Sequence, residues 1–276
     1  MTGVSDKGQV FRALHRGQGA FIIPNPFDVG TARILASQGF KALATTSAGL
    51  AFSLGRTDGT VTRDEALAHC RAIVSATDRP VSADLEKGFG DSPESAAETI
   101  RAAAETGLAG CSIEDYGGRE GDAIYDFNLA VERIEAAVEA AHGLPGDFVL
   151  TARCENFIRK RPDLDDTIKR LQAFDKAGAD VLFAPGLRDL DMIRNVCAAV
   201  SKPVNVLMGF TGATFSVAHL AEAGVKRISV GGALARLAYG AVVKAAHEMK
   251  DSGTFVFASE AIGFAELESY FAPARH

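Results

Sequence analysis

Eight short β-rich segments alternate with longer helical patterns along the sequence, and this alternation limits the possible folds more than any other feature. The predicted strands are Ala20–Pro24, Ala42–Thr46, Val81–Leu85, Gly110–Glu114, Phe148–Arg153, Asp180–Ala184, Val204–Leu207 and Arg227–Val230. The segments with helical spacing that follow them are Gly30–Gln38, Arg63–Thr77, Pro93–Thr106, Asn128–Ala141, Leu164–Ala177, Leu190–Val200, Ser216–Ala223 and Leu234–Met249. Strands that are each followed by a helix are expected to pair in parallel, because a parallel neighbour needs a long crossover connection.

Eight such units in 276 residues predict an α/β protein with one closed (β/α)8 TIM barrel. No Pro/Gly/Ser-rich linker divides the chain, so residues 1–276 are predicted to be a single domain. An additional amphipathic helix is predicted over residues 5–17, and residues 234–271 are predicted to form the last helix and an apolar carboxy-terminal arm, helical over 259–271. The spacing of the arm allows packing on its own barrel or on a neighbouring subunit, and does not choose between them.

The charge balance disfavours two classes of partner. The chain has 29 Lys and Arg against 35 Asp and Glu, a net charge of −6, without basic blocks for nucleic acid or an anionic membrane. No apolar run approaches the roughly 18 residues that span a bilayer, and Met1–Gln9 lacks the pattern of a signal peptide. We therefore predict a cytoplasmic protein with neither a nucleic-acid nor a membrane partner.

Carboxylates gather where the third and fourth predicted strands end. Asp84 and Glu86 are two residues apart in a segment predicted to be extended, which places both side chains on one side, and Glu114 ends the next strand. Acids this close need a cation or protons, and an all-oxygen set without histidine favours Mg²⁺, or alternatively Mn²⁺. We predict that Asp84, Glu86 and Glu114 bind the metal, partly through water. The alternative is that they cap helices or pair with Lys or Arg.

Other polar groups end neighbouring strands. Arg153 suits a substrate carboxylate because its planar fork binds that group with two hydrogen bonds, although a buried ion pair with Glu114 or Glu155 explains it equally well. The turn predicted at 46–49 offers hydroxyls and backbone N–H groups to an oxyanion, and its small residues also simply fit a tight turn. Strand seven contributes Asn205. The predicted substrate-binding residues are Thr46, Ser47, Ala48, Arg153 and Asn205.

Several stretches in this order resemble the isocitrate lyase/phosphoenolpyruvate mutase superfamily. They are Pro24–Asp28, Thr46–Gly49, Leu54–Gly59, Asp84–Gly90, Ile113–Asp115 and Thr151–Glu155, and they extend over most of residues 20–240. The resemblance implies a (β/α)8 barrel whose final helix is exchanged between the subunits of a dimer or tetramer. It therefore predicts a homo-oligomer.

The resemblance also implies a chemistry. It places Mg²⁺ near the three acids named above, and Asp58, on the loop after strand two, close to the metal or the reacting group. Arg153 would hold the substrate carboxylate, and the backbone and hydroxyls of residues 46–48 would receive an enolate oxygen. Members of the superfamily cleave or form C–C or P–C bonds beside a 2-oxo acid. The predicted catalytic residues are accordingly Asp58, Arg153 and Ser47.

Two departures separate the chain from that pattern. The usual Asp-x-Asp is here Asp84-Leu85-Glu86, whose longer second side chain indicates a water-mediated metal contact. Residues 115–126 contain neither the Cys and His of the lyase gating loop nor the Lys-Asn pattern of phosphonopyruvate enzymes.

The function that the sequence predicts is that of a Mg²⁺-dependent enzyme. It would act on a small 2-oxo carboxylate through an enolate, as a carbon–carbon lyase or decarboxylase. Two alternatives stay open. One is P–C chemistry of the phosphoenolpyruvate mutase or phosphonopyruvate hydrolase type, and the other is a barrel that binds a 2-oxo acid without turnover.

Overall fold

The eight predicted strands form one parallel sheet that curls into a nearly closed barrel. The structure, a computed structural model, describes residues 6–118, 124–210 and 215–272. The strands are β1 (Phe21–Ile23), β2 (Leu43–Ala44), β3 (Val81–Asp84), β4 (Gly110–Glu114), β5 (Val149–Arg153), β6 (Val181–Phe183), β7 (Val204–Leu207) and β8 (Arg227–Ser229). They pair in the order β1-β8-β7-β6-β5-β4-β3-β2. The predicted (β/α)8 architecture is confirmed.

The barrel closes between the first and last strands of this order. Just beyond β1, the carbonyl of Pro24 accepts a hydrogen bond of 3.1 Å from the N–H of Ala44 in β2. This contact brings the end of β1 beside β2, so the carboxyl ends of the strands form one continuous rim.

Helices lie between the strands and at both ends of the described chain. They are α1 (Lys7–Arg16), α2 (Val29–Ser37), α3 (Ser47–Ser53), α4 (Arg63–Ser75), α5 (Pro93–Ala104), α6 (Phe127–His142), α7 (Leu164–Ala177), α8 (Leu190–Ala199), α9 (Val217–Glu222), α10 (Ala233–His247) and α11 (Phe264–Ser269). Local sequence sets their starts: Thr62 and Glu65 form a reciprocal capping box at α4. Among the described helices, none has the length and apolar character needed to cross a membrane.

The prediction of a turn at 46–49 was wrong in conformation, because these residues begin helix α3. Thr46 is the helix cap, and its Oγ1 accepts the N–H of Gly49 at 3.3 Å. The helix has seven residues, fewer than two full turns need at about 3.6 residues each, so the sequence shows no helical period. Its first N–H groups still lie at the barrel rim.

The helix predicted over residues 5–17 is present as α1, apart from residue 5, which lies outside the described residues, and it lies under the amino-terminal ends of the strands. Phe11 is fully buried in a cluster with residues near strand starts, such as Ala109 and Val181. Arg12 fastens the helix through ion pairs of 2.7 Å to Asp147 and 2.5 Å to Asp180. The barrel is therefore closed at the bottom.

The carboxy-terminal arm is largely exposed within this chain. Helix α10 buries Ala235 alone among its residues, and Leu237 on the same helix is 73% exposed. A π-helical turn (Glu248–Ser252) and a 3-10 turn (Val256–Glu260) follow. Phe264, at the start of α11, is 88% exposed. The helix predicted over 259–271 is thus shorter, and exchange of the last helix between subunits stays a prediction.

Candidate active site

Asp84 is held at the rim by hydrogen bonds to the segment after β2 and to the residues that follow it in the chain. Its carboxylate oxygens accept the N–H of Ser47 at 3.2 Å and of Glu86 at 3.3 Å. Its own N–H donates to Thr45 Oγ1 at 3.0 Å, just after β2. These bonds fix a carboxylate at the end of β3, where the chemistry of a TIM barrel is located.

Glu86 departs from the geometry predicted for it. The prediction that Asp84 and Glu86 project to one side assumed extended backbone, but β3 ends at Asp84 and Glu86 has a φ of 50° in the left-handed region. Glu86 consequently lines a small cavity on the other side of Asp84, together with His69 and Cys70. The Nε2 atom of His69 is buried there, without a hydrogen-bond partner in the described parts of the chain.

Arg153, at the end of β5, lies in a network of buried carboxylates. Its Nε donates to Glu155 at 2.5 Å, and its Nη1 lies 3.3 Å from Glu114 and 3.5 Å from Asp84. Arg159 continues the network, with Nε 2.9 Å from Glu155. Desolvation lowers the pKa of Arg153, but Glu155, Glu114 and Asp84 together raise it above its ordinary value. The guanidinium is therefore charged at any working pH.

One cavity of about 170 Å³ collects most of the predicted site residues. Those in its wall are Thr46, Ser47, Ala48, Asp58, Asp84, Arg153 and Asn205. Glu86 and Glu114 are not in that wall, and Asn205 uses its amide on Arg227 and Ser229, at 3.0 Å each. Seven of the residues predicted from the sequence thus line this cavity. Two of the three predicted metal ligands, Glu86 and Glu114, lie outside its wall.

Carboxyl groups at the rim hold protons more readily than usual. Desolvation, followed by the charge of Asp84, raises the pKa of Asp58, which still exposes part of its surface at the cavity mouth. The same two causes raise the pKa of Glu86 to about 7. Desolvation raises the pKa of Glu114, against the effect of Arg153. Acids in this state are stabilised by a proton or a cation nearby.

The donor chemistry of the rim fits a hard cation held by few protein ligands. Among the described residues, no group of three or more His, Cys, Asp or Glu side chains has an arrangement that could hold a metal ion. Glu114 instead lies against Arg153 and, at 4.0 Å, Arg159. Asp84 and Asp58 line the cavity together, and Mg²⁺ commonly takes one or two carboxylates plus water and substrate oxygens. The ligand set Asp84, Glu86 and Glu114 stays a prediction.

The cysteines do not supply an acid or base to this cavity. Cys111 and Cys154 are fully buried, and desolvation raises the pKa of both thiols well above the ordinary value. Residues 119–123 of the loop that departs from the lyase pattern lie outside the described residues. Tyr116, where that loop begins, lies under the guanidinium of Arg159, 3.6 Å from the ring centre.

Sequence reasoning missed Arg159 and Arg227. Arg159 lies on the segment after β5. Its position four residues after Glu155 could have predicted an ion pair between the two side chains. Arg227 lines the bottom of the same cavity from the first position of β8. A charged residue inside a strand pattern was its signal, since the interiors of such barrels are usually filled by branched apolar side chains.

Comparisons with known proteins show that this chain is similar to a group of related lyases and mutases. The family model described as phosphoenolpyruvate phosphomutase matches residues 11–250. A Burkholderia cenocepacia J2315 protein, assigned only broadly as a lyase/mutase, has a crystal structure with a TM-score of 0.95 and 56% identity, covering 98% of this chain and 97% of that one. The 2-methylisocitrate lyase of Escherichia coli K12 is 33% identical over 215 residues, 75% of this chain and 71% of its own. The structure of a 2,3-dimethylmalate lyase has a TM-score of 0.85 at 29% identity, covering 97% and 95%.

Proposed function

Because the chain belongs to the phosphoenolpyruvate phosphomutase family, within the isocitrate lyase/phosphoenolpyruvate mutase superfamily, we propose that it is a carbon–carbon lyase or decarboxylase of a small 2-oxo acid, dependent on Mg²⁺ or Mn²⁺. One observation carries the proposal. A single cavity is lined by two acids suited to a hard cation, Asp58 and Asp84, by the cationic Arg153, and by Ser47 at a helix start.

Arg153 is suited to bind the substrate carboxylate because its neighbours already orient it. Glu155 and Glu114 hold two of its nitrogens, and its side chain remains 14% exposed in the cavity wall. Its contact of 3.5 Å with Asp84 is the longest of the three, and a substrate carboxylate would replace that one. The retained contacts would keep the planar fork aligned for two hydrogen bonds.

Ser47 and Asp58 supply the remaining groups. A bound divalent cation, held by Asp84 together with water and substrate oxygens, would polarise the 2-oxo group as a Lewis acid. The N–H of Ser47, which now donates to Asp84, would then be available to an enolate oxygen. The Ser47 side chain bonds to Asp58, whose raised pKa lets its carboxyl hold a proton near the site where an enolate carbon would be protonated.

A substrate panel with and without Mg²⁺ tests the proposal. We expect metal-dependent C–C cleavage, abolished by EDTA, of oxaloacetate, which is a 2-oxo acid, or of 2-methylisocitrate or 2,3-dimethylmalate, which are 2-hydroxy acids that release a 2-oxo acid. In Asp84→Asn, kcat/KM should fall by about 10²–10³. The matched control is Asp191→Asn, which changes an exposed acid on α8 and should react like the parent. Binding of these acids without turnover under any condition would favour the non-catalytic alternative.

The family match itself favours a second candidate, P–C chemistry of the mutase or hydrolase type. Phosphonopyruvate belongs in the same panel for that reason. Metal-dependent phosphoenolpyruvate or phosphate formation from phosphonopyruvate, with no C–C cleavage of the other acids, would replace the first candidate by the second.

The exposed apolar face of the arm supports a homo-oligomer in which α10 and α11 pack on a neighbouring subunit. Leu237, Val242 and Phe264 are all more than half exposed, and apolar patches of this kind mark interfaces. Light scattering after gel filtration should give a dimer or tetramer for the parent and smaller species for Leu237→Asp. Met192→Asp, on α8, is the control and should leave the mass unchanged. A monomeric parent would contradict the proposal.

A further inference from the structure

The floor of the cavity contains a buried cation with neutral partners. Arg227 is 5% exposed. Its Nε donates to Asn205 Oδ1 and its Nη2 to Thr151 Oγ1, both at 3.0 Å, and its Nη1 lies 3.4 Å from His15 Nε2. The Nδ1 of His15 donates to the carbonyl of Phe11 at 2.9 Å, which leaves Nε2 as an acceptor. Desolvation, followed by the charge of Arg227, lowers the pKa of His15 to about 3, so the imidazole is neutral.

Two other buried arginines, Arg153 and Arg170, have carboxylate partners, whereas Arg133 donates to three backbone carbonyls and does not line this cavity. Arg153 is paired as described, and Arg170 lies 3.2 Å from Asp115 and 2.8 Å from Asp166. Within the described residues, no carboxylate lies within 4.0 Å of the Arg227 guanidinium. Desolvation accordingly lowers the pKa of Arg227 to about 9. A buried charge without a counter-ion is costly, so its retention in a cavity wall points to a ligand of opposite charge.

The strand residues around Arg227 are polar where a barrel interior is usually apolar. Those that line the same cavity are Ser82, Ser112, Asn205 and Ser229. The serine hydroxyls add neutral hydrogen-bonding groups beside the fork of the guanidinium. This is the combination that binds a carboxylate or similar oxyanion.

The floor lies toward the amino-terminal ends of the strands, since Arg227 is the first residue of β8. Helix α1 closes the bottom, with Phe11 fully buried and His15 against Arg227. Thr151, which contacts Arg227, is two residues before Arg153 on β5, a rise of about 7 Å at 3.3 Å per residue. The two arginines thus lie at different levels of the barrel, and a short dicarboxylic acid could place one carboxyl group toward each of them.

We infer that the floor of the cavity binds a small carboxylate, held by Arg227 with the hydroxyl of Ser229 beside it. The carboxylate has two possible sources. It is either a free small anion, or the distal carboxyl group of a dicarboxylic substrate whose other end lies at Arg153. The second source rests on the proposed function, and the first does not.

Acetate is the probe for the site itself, measured by thermal unfolding against chloride at equal ionic strength. At about five times its Kd, acetate should raise the Tm of the parent by about 2–4 °C. Arg227→Met should lose this increase. Arg194→Met, which removes an exposed arginine on α8, should keep it. An equal acetate effect in the parent and in Arg227→Met would overturn the inference, whether or not the enzyme turns over any substrate.

Succinate and butyrate then distinguish the sources, because they have equal chain length and do not react. If the distal group of a substrate occupies the floor, calorimetry should show succinate binding about 10- to 100-fold more tightly than butyrate, and Arg227→Met should abolish that preference. Equal affinity for the two, with acetate still stabilising the parent, would assign the floor to a free anion.

Two further variants guard against a folding defect in Arg227→Met. Arg227→Lys keeps the charge and should retain part of the acetate effect. Thr151→Val removes one partner of the guanidinium and should weaken the acetate effect. An unchanged acetate effect in Thr151→Val and its complete loss in Arg227→Lys would together contradict the inferred geometry.

Discussion

The rim and the floor of one cavity bury charge in opposite ways. At the rim, carboxyl groups outnumber the guanidinium groups of Arg153 and Arg159, and the pKa values of Asp58 and Glu86 are raised. At the floor, the cation of Arg227 has neutral partners, and its pKa and that of His15 are lowered. The rim is therefore complementary to a cation and the floor to an anion.

The difference separates charges that stabilise the fold from charges that do not. Arg153 compensates Glu114 and Glu155, so its removal would leave buried acids unpaired. Arg227 compensates no acid, and its hydrogen bonds to Thr151 and Asn205 are ones that a neutral side chain could replace. Compensation of buried acids is enough to account for a buried arginine at position 153, whereas the buried arginine at position 227 indicates a function.

Arg153→Met should produce the largest stability change of the comparison. It leaves Glu114 and Glu155 buried without their main counter-ion, which should lower the free energy of unfolding by about 3–5 kcal/mol. Urea unfolding monitored by circular dichroism measures this difference. The control, Arg101→Met, breaks an exposed pair with Glu94 and should cost less than about 1 kcal/mol. Equal losses in the two variants would remove the distinction between the rim network and an ordinary surface pair.

Acidification should weaken the floor through His15. Its pKa is about 3 in the folded protein and near 6.5 when unfolded, so between these values the unfolded chain binds a proton that the folded protein does not. The free energy of unfolding contributed by this group is fully present above pH 6.5 and falls as the pH falls, by about 2–3 kcal/mol between pH 6.5 and 4.5.

The variant His15→Gln isolates this contribution, because glutamine keeps a donor and an acceptor but does not titrate. We expect the difference in unfolding free energy between parent and variant to change by that amount over the pH range, in favour of the variant at low pH. A difference that is independent of pH would show that His15 is solvated or charged in the folded protein.

Most of the fold could be predicted from the sequence because parallel β/α units repeat one pattern. Every observed strand lies within its predicted bounds, for example β5 (Val149–Arg153) within 148–153. Helix α3 could not be predicted, because seven residues with a threonine cap resemble a turn until tertiary packing buries Leu50 and Ala51.

The site was predictable in position but not in orientation. Strand ends of a parallel barrel meet at one rim, which correctly brought Asp84, Arg153 and Asn205 to one cavity. The direction of Glu86 depends on a positive φ after β3, and sequence spacing does not contain that information. Arg227 was not predicted from the sequence. It is buried without a carboxylate partner, and this property arises only when α1 and the strands pack around it.

Arg227→Met should give the smallest change and the opposite sign to Arg153→Met. A pKa lowered from 12.5 to about 9 corresponds to a cost on the order of 5 kcal/mol for holding the charge, and the variant removes this cost. It also leaves Asn205 Oδ1 and His15 Nε2 without their donor, a loss of about 1.5–2 kcal/mol for each acceptor, while the hydroxyl of Thr151 can rotate to another acceptor. The free energy of unfolding, measured by urea titration without carboxylate buffers, should therefore rise by about 1–2 kcal/mol. A loss of several kcal/mol would mean that the guanidinium is a structural element of the barrel, and the contrast between rim and floor would then have no functional meaning.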